Sequence, residues 1–156
     1  MIRCMTTFVL ATVLVVPAMA QNAATTNMEI FRQKIKADKK LVVAQNLNLT
    51  DAEGARFWPV YEAYQKDLQQ IDERLATAIL AYADAYNSGP VTNEKAKKLL
   101  DEYLAIDDAE AKLKSATTPK ILAALPAVKA ARYVQIENKI RAAVRYELAA
   151  AIPLVE

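Results

Sequence analysis

The carboxylates of Asp101, Asp107, Asp108 and Glu110 form the cluster whose types and spacing most invite chemistry in this chain. Grouped carboxylates can act as general acid and base or hold a hard cation. On a helix, however, adjacent Asp107 and Asp108 diverge around the axis, and Asp101 lies about two turns from Asp108. Neither spacing suits a small ion, which ordinarily takes several oxygens from an irregular loop. Paired-carboxylate glycoside chemistry would also need a cleft, and the sequence shows none. The chain contains no histidine and a single cysteine, Cys4. Serine–histidine and cysteine–histidine nucleophiles and most zinc or copper sites are excluded on that ground. No GxGxxG or P-loop pattern occurs. The expectation is a protein that is not an enzyme and uses no cofactor, metal or nucleotide.

Residues 1–20 read as a secretory signal peptide. Arg3 gives a positive start, Phe8–Val16 is an apolar run broken only by Thr12, and Pro17 ends it. Ala18-Met19-Ala20 then supplies the small-x-small pattern of a cleavage site, with Gln21 as the first mature residue. The run is too short for a comfortable membrane span. Cys4 precedes the run and would leave with the leader, so neither a lipid anchor nor a disulfide is expected. The predicted setting is the periplasm, which removes nucleic acid and ATP from the expected partners. Residues 21–27 are polar and predicted to be disordered, and residues 28–156 to form one helical domain.

The elements that must position any site are helices. Only two glycines occur, while alanine, leucine, lysine and glutamate abound. A first helix is predicted over about 28–46, with Met28, Phe31, Ile35 and Val42 as its apolar positions. A second, over about 51–87, carries Phe57, Tyr61, Tyr64, Leu68, Ile71, Leu75, Ala78, Tyr82 and Ala85 at alternating spacings of four and three. Pro59 falls inside it and predicts a kink near residues 55–58. Asn87-Ser88-Gly89-Pro90 is a turn joining two helices as a hairpin. A third helix is predicted over about 93–115, with Ala96, Leu99, Tyr103, Ile106 and Leu113 along its seam. Thr118-Pro119 starts a fourth segment that Pro126 breaks. Its main body, about 127–151, presents Tyr133, Ile136, Ile140, Val144 and Leu148. The fold class is all-α: four long, partly kinked helices in an elongated hairpin arrangement.

Helix starts are marked at Leu49-Thr50-Asp51-Ala52-Glu53 and at Val91-Thr92-Asn93-Glu94-Lys95. Thr50 and Thr92 are N-caps. Glu53 completes a capping box, which Lys95 cannot do because it has no acceptor. Leu49 could staple the first turn, but the position it should meet is Gly54. The first motif resembles the LTxxQ motif of the periplasmic Spy/CpxP-like family, and the second resembles a degenerate copy. Phe57-Trp58-Pro59-Val60-Tyr61 and Arg132–Lys139 are similar to stretches of related secreted proteobacterial proteins. Glu53 and Lys95 replace the motif's Gln, and Val91 its Leu. The resemblance implies long bent helices in a cradle-shaped homodimer. It also implies ATP-independent binding of non-native envelope proteins, or restraint of an envelope sensor. The metal-binding branch of the family relies on histidine, which is missing here.

Charge is segregated along the chain. Residues 51–111 hold 13 acidic and 6 basic side chains; residues 112–145 hold 8 basic ones and the single acid Glu137. Two halves of one bundle could attract each other, or an exposed basic surface could meet an acidic partner or a membrane surface. Arg132, Gln135 and Lys139 make one helical stripe, and Arg141 and Arg145 another. Trp58 and Tyr86 lie off the main apolar seam. These seven residues are the candidates for a partner face, with core filling and solvated pairing as the competing readings.

Overall fold

The computed structural model describes residues 38–155. The leader expected at 1–20, the segment 21–27, and Met28, Phe31 and Ile35 of the first predicted helix lie outside the described residues. The chain divides into two compact units, Met1–Val42 and Val43–Glu156. Within the first, residues 38–42 are helical, with Leu41 and Val42 exposed. The fold is all-α: helix α1 covers 38–47, α2 Asp51–Asn87, α3 Asn93–Ala124 and α4 Ala127–Ala151, with no strand among the described residues.

Local chemistry sets the boundaries. Asn48 takes a positive φ of 45°, a conformation Asn tolerates better than most residues, and ends α1. Thr50 then starts α2 with the full capping box: the Glu53 amide donates to Thr50 Oγ1 at 3.3 Å, and the Thr50 amide to Glu53 Oε2 at 2.8 Å. At the other end, the Ser88 hydroxyl donates to the Asp84 carbonyl at 2.6 Å. Gly89 adopts φ +126°, which a side chain would make costly, and the chain reverses. Thr92 caps α3 by accepting from the Lys95 amide at 3.3 Å, without a reciprocal side-chain bond.

Two prolines sit inside helices. Pro59 and Pro119 are both exposed, as are Ala55 and Ser115, whose carbonyls lose their amide partners. Solvent can satisfy those carbonyls, so neither helix ends there. For α3 this corrects the expected break at residues 115–118. The buried face of Ile106 continues through Thr117, Ile121 and Ala124 at helical spacing, and that burial holds the helix together past Pro119. The break comes at Pro126 instead. Leu125, the residue before it, is extended (φ −129°, ψ 152°) and buried.

Within Val43–Glu156 the chain runs up, down and up. Ile71 and Leu75 of α2 pack with Ile106 of α3 in one core cluster. A larger cluster joins Val43 and Leu47 of α1 to Phe57, Tyr61, Ile121, Ala124, Leu125, Ala130 and Tyr133. Here the structure corrects the apolar stripe of α1: Val43 and Leu47 are fully buried, whereas Val42, one residue round the helix, is exposed. Leu49 packs against this cluster rather than stapling Gly54. Helix α4 lies parallel to α2 but meets it through long side chains rather than by close backbone approach. Tyr133 reaches across to Phe57 and Tyr61 with ring centroids 5.1 and 6.1 Å apart, in edge-to-face contacts.

Candidate functional site

The inward face of α4 follows the predicted apolar seam only in part: Tyr133 is buried and Ile136 and Leu148 pack on the core clusters, but polar residues share that face. Ala130, Tyr133 and Glu137 are buried, while Val144 is exposed and Ile136 and Ile140 are half-buried. Arg141 and Arg145 follow Glu137 at four-residue intervals and turn toward acids on α2 and α3. Arg141 bonds Glu110 through two nitrogens and Asp72 Oδ1 at 2.7 Å. Arg145 reaches Asp107 at 2.6 Å and Glu110 at 2.9 Å. It also donates to the Tyr103 hydroxyl at 3.2 Å and lies over that ring, which is exposed rather than part of the α3 seam.

The electrostatics of this network are cooperative. Burial raises the Glu110 pKa, but bonding to Arg141 and Arg145 outweighs it and holds the carboxyl below its ordinary value. Burial likewise opposes the charged form of Arg141, and the Glu110 and Asp72 carboxylates overcome that and raise its pKa. All four carboxylates that drew attention in the sequence are accounted for in ion pairs: Asp107 and Glu110 here, and Asp108 with Lys112 one helical turn on. Asp101 pairs with Lys97 on its own helix. No group of three or more potential metal-ligating side chains occurs among the described residues.

The motif residues at the helix starts do more than cap. Glu53 Oε2 also accepts from Lys129 Nζ of α4 at 2.6 Å. Bonding to Lys129, and then to the Thr50 amide, keeps the Glu53 carboxyl below its ordinary pKa against a smaller opposing effect of desolvation. Arg56 of the same helix donates to the Ala124 carbonyl at 3.2 Å and so caps the end of α3. Val91 is half-buried and Thr92 exposed.

The aromatic candidates are not isolated. Trp58 is half-buried, edge-on to Phe57 and Tyr61 at 5.1 and 5.4 Å, and its indole lies over Gly54. Tyr86 is half-buried beside Tyr82, whose hydroxyl donates to the Pro153 carbonyl at 3.0 Å.

Arg132, Gln135 and Lys139 are placed differently from Arg141 and Arg145. All three are exposed, and Arg132 also donates to the Asn46 carbonyl of α1 at 3.4 Å. Their side of α4 carries two residues that sequence reasoning missed: Val128, 74% exposed, and Tyr146, 72% exposed. Positions 128, 132, 135, 139, 142 and 146 follow at spacings of four and three, which puts them in one stripe. The spacing was visible in the sequence, but only burial shows which side of the helix faces outward. No described helix is long and apolar enough to cross a membrane. Comparison with family models, curated proteins and solved structures finds no match.

Proposed function

We propose that this chain is an exported, non-enzymatic protein-binding protein of the Spy/CpxP-like type. It would hold non-native or envelope proteins without ATP, on the outward face of α4. The observation that carries the reading is the stripe itself. Two large apolar side chains, Val128 and Tyr146, stand in solvent at either end of a row containing Arg132, Gln135 and Lys139. Exposed apolar anchors beside cations suit segments that are apolar and acidic, and long-range attraction gathers such segments from solution. The leader pattern at residues 1–20 and the helix starts at Thr50 and Thr92 support the family reading. A cradle-shaped homodimer belongs to the same proposal.

The test is suppression of aggregation of a denatured client by residues 21–156, beside a variant carrying Val128→Ser and Tyr146→Ser. The proposal expects suppression by the parent chain, weaker at high salt, and at least a several-fold loss in the variant. No suppression at several-fold molar excess, at low and at physiological salt, overturns it. Capture of one stoichiometric envelope partner in place of many clients would replace chaperoning with regulation of that partner. Sedimentation of the same protein checks the dimer.

A further inference from the structure

Helix α4 is held along its length by two kinds of contact. Up to residue 137 the contact is buried and largely apolar. Ala130, Tyr133 and Glu137 are its buried residues, Val134 and Ile136 pack on the aromatic cluster, and Lys129 is fixed by Glu53 and the Asn48 carbonyl. From 138 to 151 no residue of the helix is buried; Ile140, Arg141, Arg145 and Leu148 are half-buried and the others exposed.

That second half rests on polar ties. Arg141 and Arg145 hold Asp72 of α2 and Asp107 and Glu110 of α3, and the Tyr103 hydroxyl accepts from Arg145. Past the helix end, the Tyr82 hydroxyl donates to the Pro153 carbonyl. The segment lays Leu148 on the cluster of Ile71, Leu75 and Ile106. The Asp72 and Asp107 side chains are 47% and 41% exposed, and ion pairs open to water to that degree contribute little each. Both arginines share Glu110, so the loss of one loosens the other. Asn138, bonded by Lys114 of α3 at 2.8 Å, marks the boundary between the halves.

We infer that residues 139–153 are a strap that releases from the α2–α3 hairpin as one unit while residues 127–137 stay docked. Release uncovers the side of the Ile71–Leu75–Ile106 cluster that Leu148 covers, an apolar surface flanked by Asp72, Asp107 and Glu110. This surface is separate from the stripe of Val128 and Tyr146, and the inference does not depend on client binding there. A free helix shorter than about 15 residues is marginal in water, so the released strap melts and its amides exchange.

Residue-resolved amide hydrogen exchange tests it on the parent chain. Residues 143–151 should share one level of protection, below that of 130–137. Their exchange should depend on urea, with a slope smaller than that of global unfolding. Val43→Ala weakens the cluster around Tyr133. It should lower protection at 130–137 and leave 143–151 unchanged, because release of the strap breaks no contact of Val43. Arg141→Gln should lower protection at 143–151 about tenfold or more. Protection that climbs residue by residue from 151 without urea dependence is fraying of a helix end and overturns the inference. An equal loss in both halves in Val43→Ala overturns it as well, since the strap would then open only with the whole domain.

Discussion

Lys129 Nζ sits 2.6 Å from Glu53 Oε2, so the residue that caps the start of α2 also fastens the start of α4. The same ammonium donates to the Asn48 carbonyl at 2.8 Å, in the connection between α1 and α2. Three segments therefore meet at one charged point. This gives a physical reason for Glu at a position where the resembled motif has Gln: Gln could close the capping box but could not supply a charge to Lys129.

Glu53→Gln should separate these two roles. The variant keeps an acceptor for the Thr50 amide and loses the ion pair. Because the folded-state pKa of Glu53 lies below its ordinary 4.5, the unfolded chain binds more protons in that range and stability rises with pH there. The contribution is present above pH 4.5 and disappears as pH falls through the lower folded value. At neutral pH the variant should melt below the parent, and the gap should narrow as pH falls below 4.5. Thermal melts followed by circular dichroism across that range decide it; a constant gap would show that the charge is irrelevant.

The Arg141 network should behave as a unit. The Arg141 side chain is 13% exposed and that of Glu110 20%, so removing either leaves a partly buried charge without its partner. Glu110→Ala should cost about 3 kcal/mol in urea unfolding. Replacing both partners with apolar residues, Arg141→Met with Glu110→Leu, should cost less than the two single losses added together, because the two buried charges leave together: Arg145 keeps Asp107, and only the half-exposed Asp72 loses its arginine. Full additivity would argue against a coupled network.

The starts of α2 and α3 were legible because everything that fixes them lies within one turn. Thr50 and Glu53 are three residues apart, and so are Thr92 and Lys95. The α2 seam was legible for a related reason: its buried side from Phe57 to Leu75 is wholly apolar or aromatic. The inward face of α4 was legible only in part. It includes Glu137, Arg141 and Arg145, polar residues that hydropathy places outside, and the acids that draw Arg141 inward are 31 and 69 residues away in sequence. The passage of α3 through Pro119 was hidden in the same way, since it depends on burial of Thr117 and Ile121 against other segments. Local rules therefore located the helix starts, and tertiary pairing decided which faces turn inward.

The register of α1 offers a direct comparison of two adjacent valines. Val43 is fully buried in the cluster with Phe57 and Tyr133, whereas Val42 is 40% exposed. Val43→Ala should lower stability by about 2 kcal/mol, from lost burial and the cavity left behind. Val42→Ala should change it by less than about 0.5 kcal/mol. Denaturant midpoints with unchanged slopes would report the difference, and equal effects would place the buried face of α1 elsewhere.

Helix α3 begins with half of a capping arrangement, and completing it should stabilise the protein. Thr92 accepts from the Lys95 amide, but Lys95 has no oxygen with which to reach back to the Thr92 amide. Lys95→Glu supplies that acceptor and also replaces a cation with an anion in the first turn, where the helix dipole favours negative charge. Lys95 is exposed, so no packing is lost. The expected gain is about 0.5–1 kcal/mol, read as a higher urea midpoint. Lys95→Gln closes the box without the added charge, and its gain should be smaller but still positive. If Lys95→Glu stabilises at low salt and the advantage vanishes at high salt while Lys95→Gln has no effect, the benefit would come from charge alone and the hydrogen-bonded cap would contribute nothing.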